Sequence, residues 1–146
     1  MKGIDVFSPK YPISENQKED LAEFLVRELG EFGDSKSEVL ACLNYAMDSL
    51  KGPGGLVLIA GEFGLPEAVL VVNHTGMSGY IPEHILVYFA VAEGKRRKGL
   101  GKKMMELLLK LLPGGIALHV EPGNPAVQLY EKLGFTNKYL EMRLSR

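Results

Sequence analysis

The chain has 146 residues, 46% of them hydrophobic and 24% charged, with a formal net charge of −1. That size suits one domain, 1–146, able to bury about two-thirds of its unfolded surface, and the composition is that of an ordinary globular protein. No apolar run reaches the roughly 18–20 residues that span a bilayer, no signal-peptide core opens the sequence, and the single cysteine, Cys42, cannot form an internal disulfide. A cytoplasmic protein without a membrane partner is expected.

Gly3 to Phe7 reads as a short first strand. Ser14 followed by Gln17 is a capping-box pattern, opening a helix with Leu21, Phe24, Leu25 and Leu29 on one face and ended by Gly30 and Gly33. Ser35 with Glu38 repeats the pattern for a second helix, whose face carries Val39, Leu43, Ala46, Met47 and Leu50 before Gly52-Pro53-Gly54-Gly55 stops it. Cys42 lies within that face and reads as a small buried hydrophobe. Leu56 to Ala60 and Ala68 to Val72 are expected as buried strands joined by a turn around Gly64-Leu65-Pro66, with His74 on the loop beyond. Ile85 to Ala92 is the central strand, its unbroken apolarity implying burial on both faces. A helix from Gly99 repeats Leu100, Met104, Leu107, Leu108 and Leu111 and ends at Pro113-Gly114. Ile116 to Val120 is a strand. Asn124 caps the next helix, Pro125 takes a tolerated first-turn site, and Gly134 suits the position after its end. Tyr139 to Leu144 closes as a strand.

The charge is unevenly distributed. Lys95, Arg96, Arg97, Lys98, Lys102 and Lys103 crowd one short stretch, whereas Glu15, Glu19, Asp20, Glu23, Glu28, Glu31, Asp34, Glu38 and Asp48 dominate the first fifty positions. A basic run is often only a solvated helix face. Here it stands at a helix N-terminus, where the unpaired N–H groups and the peptide dipoles already carry positive potential and an anion is the natural compensation. Arg96-Arg97-Lys98-Gly99-Leu100-Gly101 between strand and helix is thus suited to a phosphate or pyrophosphate. It is not a Walker loop, because Leu100 follows Gly99 where Lys and then Ser or Thr are needed. It is not a dinucleotide fingerprint either, because Met104 occupies the third glycine position.

R-x-x-G-x-G preceded by Val91-Ala92-Glu93-Gly94-Lys95 resembles the acetyl-CoA loop of the GCN5-related N-acetyltransferase (GNAT) superfamily. Asn124-Pro125-Ala126-Val127-Gln128-Leu129-Tyr130-Glu131-Lys132-Leu133-Gly134-Phe135 resembles that family's second cofactor segment, at the expected distance. The resemblance covers roughly Ile85 to Phe135. It implies an α/β (α+β) fold of the GNAT type: a mixed, mostly antiparallel central sheet flanked by about four helices, in the order β-α-α-β-β-β-α-β-α-β. It also implies acetyl-CoA as cosubstrate and transfer of its acetyl group to a primary amine of a small molecule or peptide by direct attack. Relatives usually carry two strands after the Gly-Phe pair. With only Tyr139 to Leu144 in that place, an unpaired sheet edge and a homodimer built on it are expected.

By the same resemblance, the cofactor-binding residues are Phe89, Val91, Arg96, Arg97, Lys98, Gly99, Gly101, Lys102, Asn124 and Tyr130. Backbone N–H groups of the loop hold the pyrophosphate, charged side chains supplement them, and the strand ending at Val91 pairs with the pantetheine arm. Tyr130 corresponds to the tyrosine that protonates the departing thiolate; its helical spacing with Ala126 and Leu133 equally fits a core aromatic. Relatives often place a glutamate base on the central strand. Counting back six from Val91 on one face gives Ile85, which is no base, and two more give Glu83, the catalytic candidate if the strand runs on without a bulge. His84 has the opposite parity, and His119 and Glu121 are reserves. Three histidines and one cysteine at these spacings form no zinc-type set, so no metal is expected. One basic cluster without interleaved aromatics argues against nucleic acid as a partner. Glu31, Asp34 and Glu83 around the acceptor side suit a cationic amine, polyamine or peptide N-terminus. The competing expectation is a catalytically silent acyl-CoA sensor or adapter of the same fold.

Overall fold

The computed structural model describes residues 3–146. Its elements are β1 (Ile4–Phe7), α1 (Glu15–Leu29), α2 (Lys36–Ala46), β2 (Gly55–Glu62), β3 (Leu65–His74), β4 (His84–Val91), α3 (Leu100–Leu111), β5 (Ile116–Leu118) and α4 (Ala126–Lys132). One five-stranded sheet has the order β1-β2-β3-β4-β5; neighbours are antiparallel except β4 and β5, which are parallel. The fold is the expected mixed α+β sheet with four helices.

Both capping boxes form. Gln17 N donates to Ser14 Oγ at 3.2 Å while Ser14 N donates to Gln17 Oε1 at 2.8 Å, and Ser35 and Glu38 exchange the same two bonds at 3.3 Å each. The caps satisfy N–H groups that the first helical turn leaves without partners. The apolar stripes they introduce bury Leu21, Phe24, Leu25, Val39 and Leu43 against Val57, Ile59, Val69, Val71, Tyr88 and Ala90 on one face of the sheet. On the other face Met104, Met105, Leu108 and Tyr130 pack on Leu58, Leu70, Val72 and Leu86. Burial on both faces explains the uninterrupted apolar runs of β2, β3 and β4.

Several boundaries differ from the sequence reading, among them that of β5, which ends at Leu118 rather than Val120. α2 stops at Ala46, because Asp48 Oδ1 accepts from the N–H groups of Leu50 and Lys51 and offers the chain a turn instead of another helical residue. Leu50 is consequently 95% exposed rather than part of the buried face. The β2–β3 turn is Phe63-Gly64, between the paired Glu62 and Leu65, so Pro66 lies inside β3. There it sits opposite Gly61 at a bulge, where the missing N–H disrupts the ladder least. His74 is the last residue of β3, not a loop residue.

The expected strand from Tyr139 to Leu144 does not form. Residues 136–146 carry no regular structure, and Leu140 and Met142 are 87% and 90% exposed. A strand exists only through a neighbour that takes up its N–H and C=O groups. β5 is three residues long and pairs with β4 alone, so the period-two pattern of Leu140, Met142 and Leu144 finds no partner among the described residues.

Candidate active site

β4 positions the site through two features. Its pairing with β5 runs only from His84–Ile116 to Leu86–Leu118. Beyond Leu86 the two strands part, and β4 has a free edge. The second feature is a bulge: Tyr88 pairs with Val71 and Leu86 with Val72, which leaves Val87 without an opposite residue. Val87 and Tyr88 both face α1 and α2, whereas Leu86, Phe89 and Val91 face α3 and α4. The parity count from Val91 therefore fails at Val87, and Glu83 falls on the opposite face from Val91.

Ala92 N–H donates to Glu67 O on β3 at 2.8 Å. Strand backbones alternate direction, so Val91 and Phe89 turn their N–H and C=O groups toward the free edge. Val91 O is already bound there by Arg96 Nε at 2.9 Å. A second extended chain laid along this edge would find the N–H groups of Val91 and Phe89 available.

At the end of β4 the chain turns into α3 through two left-handed residues, Arg97 at φ 64° and Gly99 at φ 80°. Gly99 is the N-cap of α3, without any side-chain cap and without an acidic residue in the first turn. The first backbone bond into the helix is Lys103 N to Gly99 O, and the N–H groups of Gly99, Leu100, Gly101 and Lys102 have no acceptor among the described residues. Such converging, unsatisfied donors at the positive end of a helix make an anion seat. Gly101 brings it against the strand: a Cβ there would lie 3.3 Å from Phe89 Cζ, 3.5 Å from Leu129 Cδ2 and 3.7 Å from Val91 Cγ2.

A cleft of about 2370 Å³ joins these parts, lined by β4, the loop, the chain after β5, α4 and the residues between α1 and α2. Its volume exceeds the roughly 300–1,000 Å³ of a single small-ligand pocket. Of the expected cofactor residues, Phe89, Val91, Arg96, Arg97, Gly99, Gly101, Lys102, Asn124 and Tyr130 line it. Lys98 instead lines a separate hollow with Gly3, Ile4 and Ala60.

The individual side chains divide into those free to meet a ligand and those already engaged. Arg96 is engaged: besides Val91 O, it reaches Glu28 O at 3.3 Å and Glu28 Oε1 at 3.4 Å, while Glu28 Oε1 also accepts from Glu93 N at 2.9 Å. It ties the loop to the end of α1 while its side chain stays about half exposed at the cleft. Arg97 has no ion pair among the described residues, and Lys102 has only a loose contact of 3.9 Å to Glu106. Asn124 Oδ1 accepts from Ala126 N at 2.9 Å, the capping role its sequence position indicated. α4 ends at Lys132, and Gly134 two residues on, at φ 100°, lets Phe135 N fold back onto Tyr130 O at 3.0 Å.

Tyr130 is 8% exposed, and its ring packs on Phe135 with centroids 5.7 Å apart. Its hydroxyl has no hydrogen bond to the described residues, and burial pushes its pKa up to about 12. Tyr130 is thus a core aromatic that also lines the cleft.

The base candidates fare differently. Glu83 Oε2 accepts from Gly115 N and Oε1 from Gly79 N at 3.3 Å, and these donors, Gly115 first, hold its carboxyl below the usual range. His84 Nε2 lies 2.7 Å from Pro113 O and its Nδ1 lies 2.8 Å from His74 Nδ1. A carbonyl accepts only, so His84 donates through Nε2. Burial, and then His84, lower the pKa of His74. His119 and Glu121 lie beyond the end of β5 on the cleft wall, both exposed. Cys42 accepts a hydrogen bond from Asn73 Nδ2 at 3.4 Å, but burial pushes its thiol up to about 12, far from a thiolate nucleophile.

One pair was absent from the sequence reading. Tyr88 Oη donates to Asp34 Oδ2 at 2.6 Å, across 54 positions of sequence, and both residues line the cleft. Burial and this bond raise the pKa of Tyr88.

Comparison with known proteins places this geometry. Residues 57–137 match the family model of the acetyltransferase (GNAT) domain. The fold is similar to that of the aminoglycoside N-acetyltransferase AAC(6')-Iy in complex with CoA, at 14% identity over 99% of this chain and 95% of that one, with a TM-score of 0.67. It is likewise similar to an aminoglycoside acetyltransferase from an uncultured soil metagenomic sample (19% identity, 100% and 99% covered, TM-score 0.67). A third similar structure is a ribosomal-protein-alanine N-acetyltransferase from Brucella melitensis biovar Abortus 2308 (12% identity, 99% and 98% covered, TM-score 0.64). At these identities the structures share the fold. No curated protein matches the sequence, and no helix is long and apolar enough to cross a membrane among the described residues.

Proposed function

Since the chain belongs to the GNAT acetyltransferase family, we propose that it is an N-acetyltransferase taking the acetyl group of acetyl-CoA to a primary amine of a small molecule or peptide. The observation that carries this reading is the meeting of three groups in one cleft: the unpaired N–H groups of Gly99 to Lys102, the free edge of β4 at Phe89 and Val91, and the hydroxyl-bearing side chain of Tyr130. Acetyl-CoA would supply an activated thioester. The helix start receives its pyrophosphate, with Arg97 and Lys102 adding charge. The β4 edge takes the amide-bearing arm as an added strand, and the Val91 or Phe89 N–H polarises the thioester carbonyl. A donor in such a place is typically worth about 3 kcal/mol in the transition state.

In the reaction the amine nitrogen bonds to the carbonyl carbon, the C–S bond breaks, and the thiol sulfur takes the Tyr130 proton. The attacking nitrogen sheds its protons to water and to Tyr130. Raised to about 12, the phenol remains a donor throughout the neutral range.

Glu83 is the candidate base that the clamp on Gly115 and Gly79 argues against. Glu83→Gln keeps an acceptor oxygen for those N–H groups and removes the basicity. Steady-state kinetics should show kcat changed by less than about threefold, against the ~10²–10⁴ loss that removal of a working base gives. A loss in that larger range restores Glu83 as the base.

Thiol release in the presence of acetyl-CoA and a panel of amines tests the whole reading. Amine-dependent release supports it, whereas tight acetyl-CoA binding with no turnover on any amine supports a silent sensor. The homodimer reading stands on the outer edge of β5, unpaired among the described residues, which a second copy would cover.

A further inference from the structure

The cleft has two electrical ends. At one, Arg97, Lys102 and the α3 N–H groups suit an anion. At the other, between α1 and α2, stand Glu31 and Asp34. Four of the six acidic residues of these helices meet a cation within the chain: Glu15 meets Lys18 at 3.0 Å, Glu19 and Glu23 meet Lys36 at 2.7 and 3.8 Å, and Glu28 meets Arg96 at 3.4 Å. Asp34 has no cation within ion-pair distance among the described residues. It is fixed through Oδ2 by the Tyr88 hydroxyl at 2.6 Å, and its Oδ1 has no protein partner among them.

Tyr88 is 6% exposed and stands at the β4 bulge, so its hydroxyl is delivered from the sheet rather than from a mobile surface. Held at Oδ2 by the Tyr88 hydroxyl, the Asp34 side chain offers its other oxygen as a fixed acceptor for a cationic group. Tyr88 faces α1 and α2, whereas Tyr130 packs on the α3 side of the sheet. An acceptor whose reacting nitrogen lies near the β4 edge therefore meets Asp34 with a different part of itself.

We infer that Asp34 is the specificity-determining residue for the acceptor: positioned by Tyr88, its carboxylate binds an ammonium group other than the one acetylated, so the preferred acceptors are small amines with at least two cationic nitrogens. This rests on the amine-acetyltransferase reading above.

The test compares 1,4-diaminobutane with butylamine as acceptors at saturating acetyl-CoA, in the wild-type protein, Asp34→Asn and Tyr88→Phe. Wild type should show a lower KM for the diamine. Asp34→Asn should raise that KM by about 10–100-fold, the range of a charge-assisted hydrogen bond, with kcat and the KM values for butylamine and acetyl-CoA little changed. Tyr88→Phe should raise the diamine KM in the same direction by a smaller factor, because it frees the carboxylate without removing it. An unchanged diamine KM in Asp34→Asn overturns the inference. So does an equal loss for both amines, or a lowered thermal midpoint that accounts for it, since a purely structural pair would behave that way. The parent reading fails separately: wild type that acetylates no amine refutes acetyl transfer itself, while wild type that turns over both amines alike refutes only the role of Asp34.

Discussion

Gly99→Asp is expected to abolish acetyl-CoA binding while leaving the fold intact. At φ 80° the position is left-handed, a conformation that aspartate tolerates at a cost of about 1 kcal/mol, and a Cβ there meets nothing within 4 Å. A carboxylate at this N-cap would accept from the Gly101 or Lys102 N–H and stabilise the helix through its dipole. The substitution thus supplies from within the anion that the cosubstrate supplies from outside. Losing two charge-assisted bonds of about 1.5–3 kcal/mol each corresponds to at least ~10² in affinity, before repulsion of the pyrophosphate is counted. Gly101→Asp should be as damaging for another reason, since its Cβ would crowd Phe89 Cζ at 3.3 Å and set a carboxylate among Phe89, Leu129 and Val91. Calorimetric titration decides. Wild-type affinity in a folded Gly99→Asp protein would move the anion seat elsewhere.

Tyr130→Phe should lower kcat by ~10²–10⁴ with little change in thermal stability. The ring contact with Phe135 survives the substitution, and the hydroxyl removed has no hydrogen bond to the described residues. The same group predicts a pH profile. An acid acts while protonated, and a pKa raised to about 12 by burial keeps Tyr130 protonated far into the alkaline range. The kcat of wild type should therefore not fall between about pH 8 and 10 through this residue. An ordinary phenol would be half ionised near pH 10. A decline centred there, absent from Tyr130→Phe, would mean that the phenol is solvated. Undiminished turnover in Tyr130→Phe would return it to a packing role.

The parts of this site that the sequence made legible are those held by local physics. The capping boxes at Ser14 and Ser35, the cap at Asn124 and the left-handed Gly134 each depend on residues within a turn of one another. The loop from Arg96 to Lys102 was legible for the same reason, as unpaired helix donors announced by glycines and charge. What escaped depends on distant partners. The bulge at Val87 leaves no glycine or proline in the uniformly apolar stretch from Ile85 to Ala92, and it invalidated a face count that was otherwise sound. The hold of Glu28 on Arg96 spans 68 positions, and neither residue's local sequence announces it. The Tyr88–Asp34 bond spans 54 positions, and neither residue type signals the other. The final strand was misread because alternation shows only that a segment is able to pair, not that a neighbour is present.

The most direct measurement is a crystal structure of the protein grown with coenzyme A. The pyrophosphate oxygens should lie within hydrogen-bond distance of the N–H groups between Gly99 and Lys102. The pantetheine arm should run along β4 beyond Leu86, and the thiol should face the Tyr130 hydroxyl. Coenzyme A seated outside this cleft, or with its sulfur directed away from Tyr130, would contradict the assignment of both the anion seat and the acid.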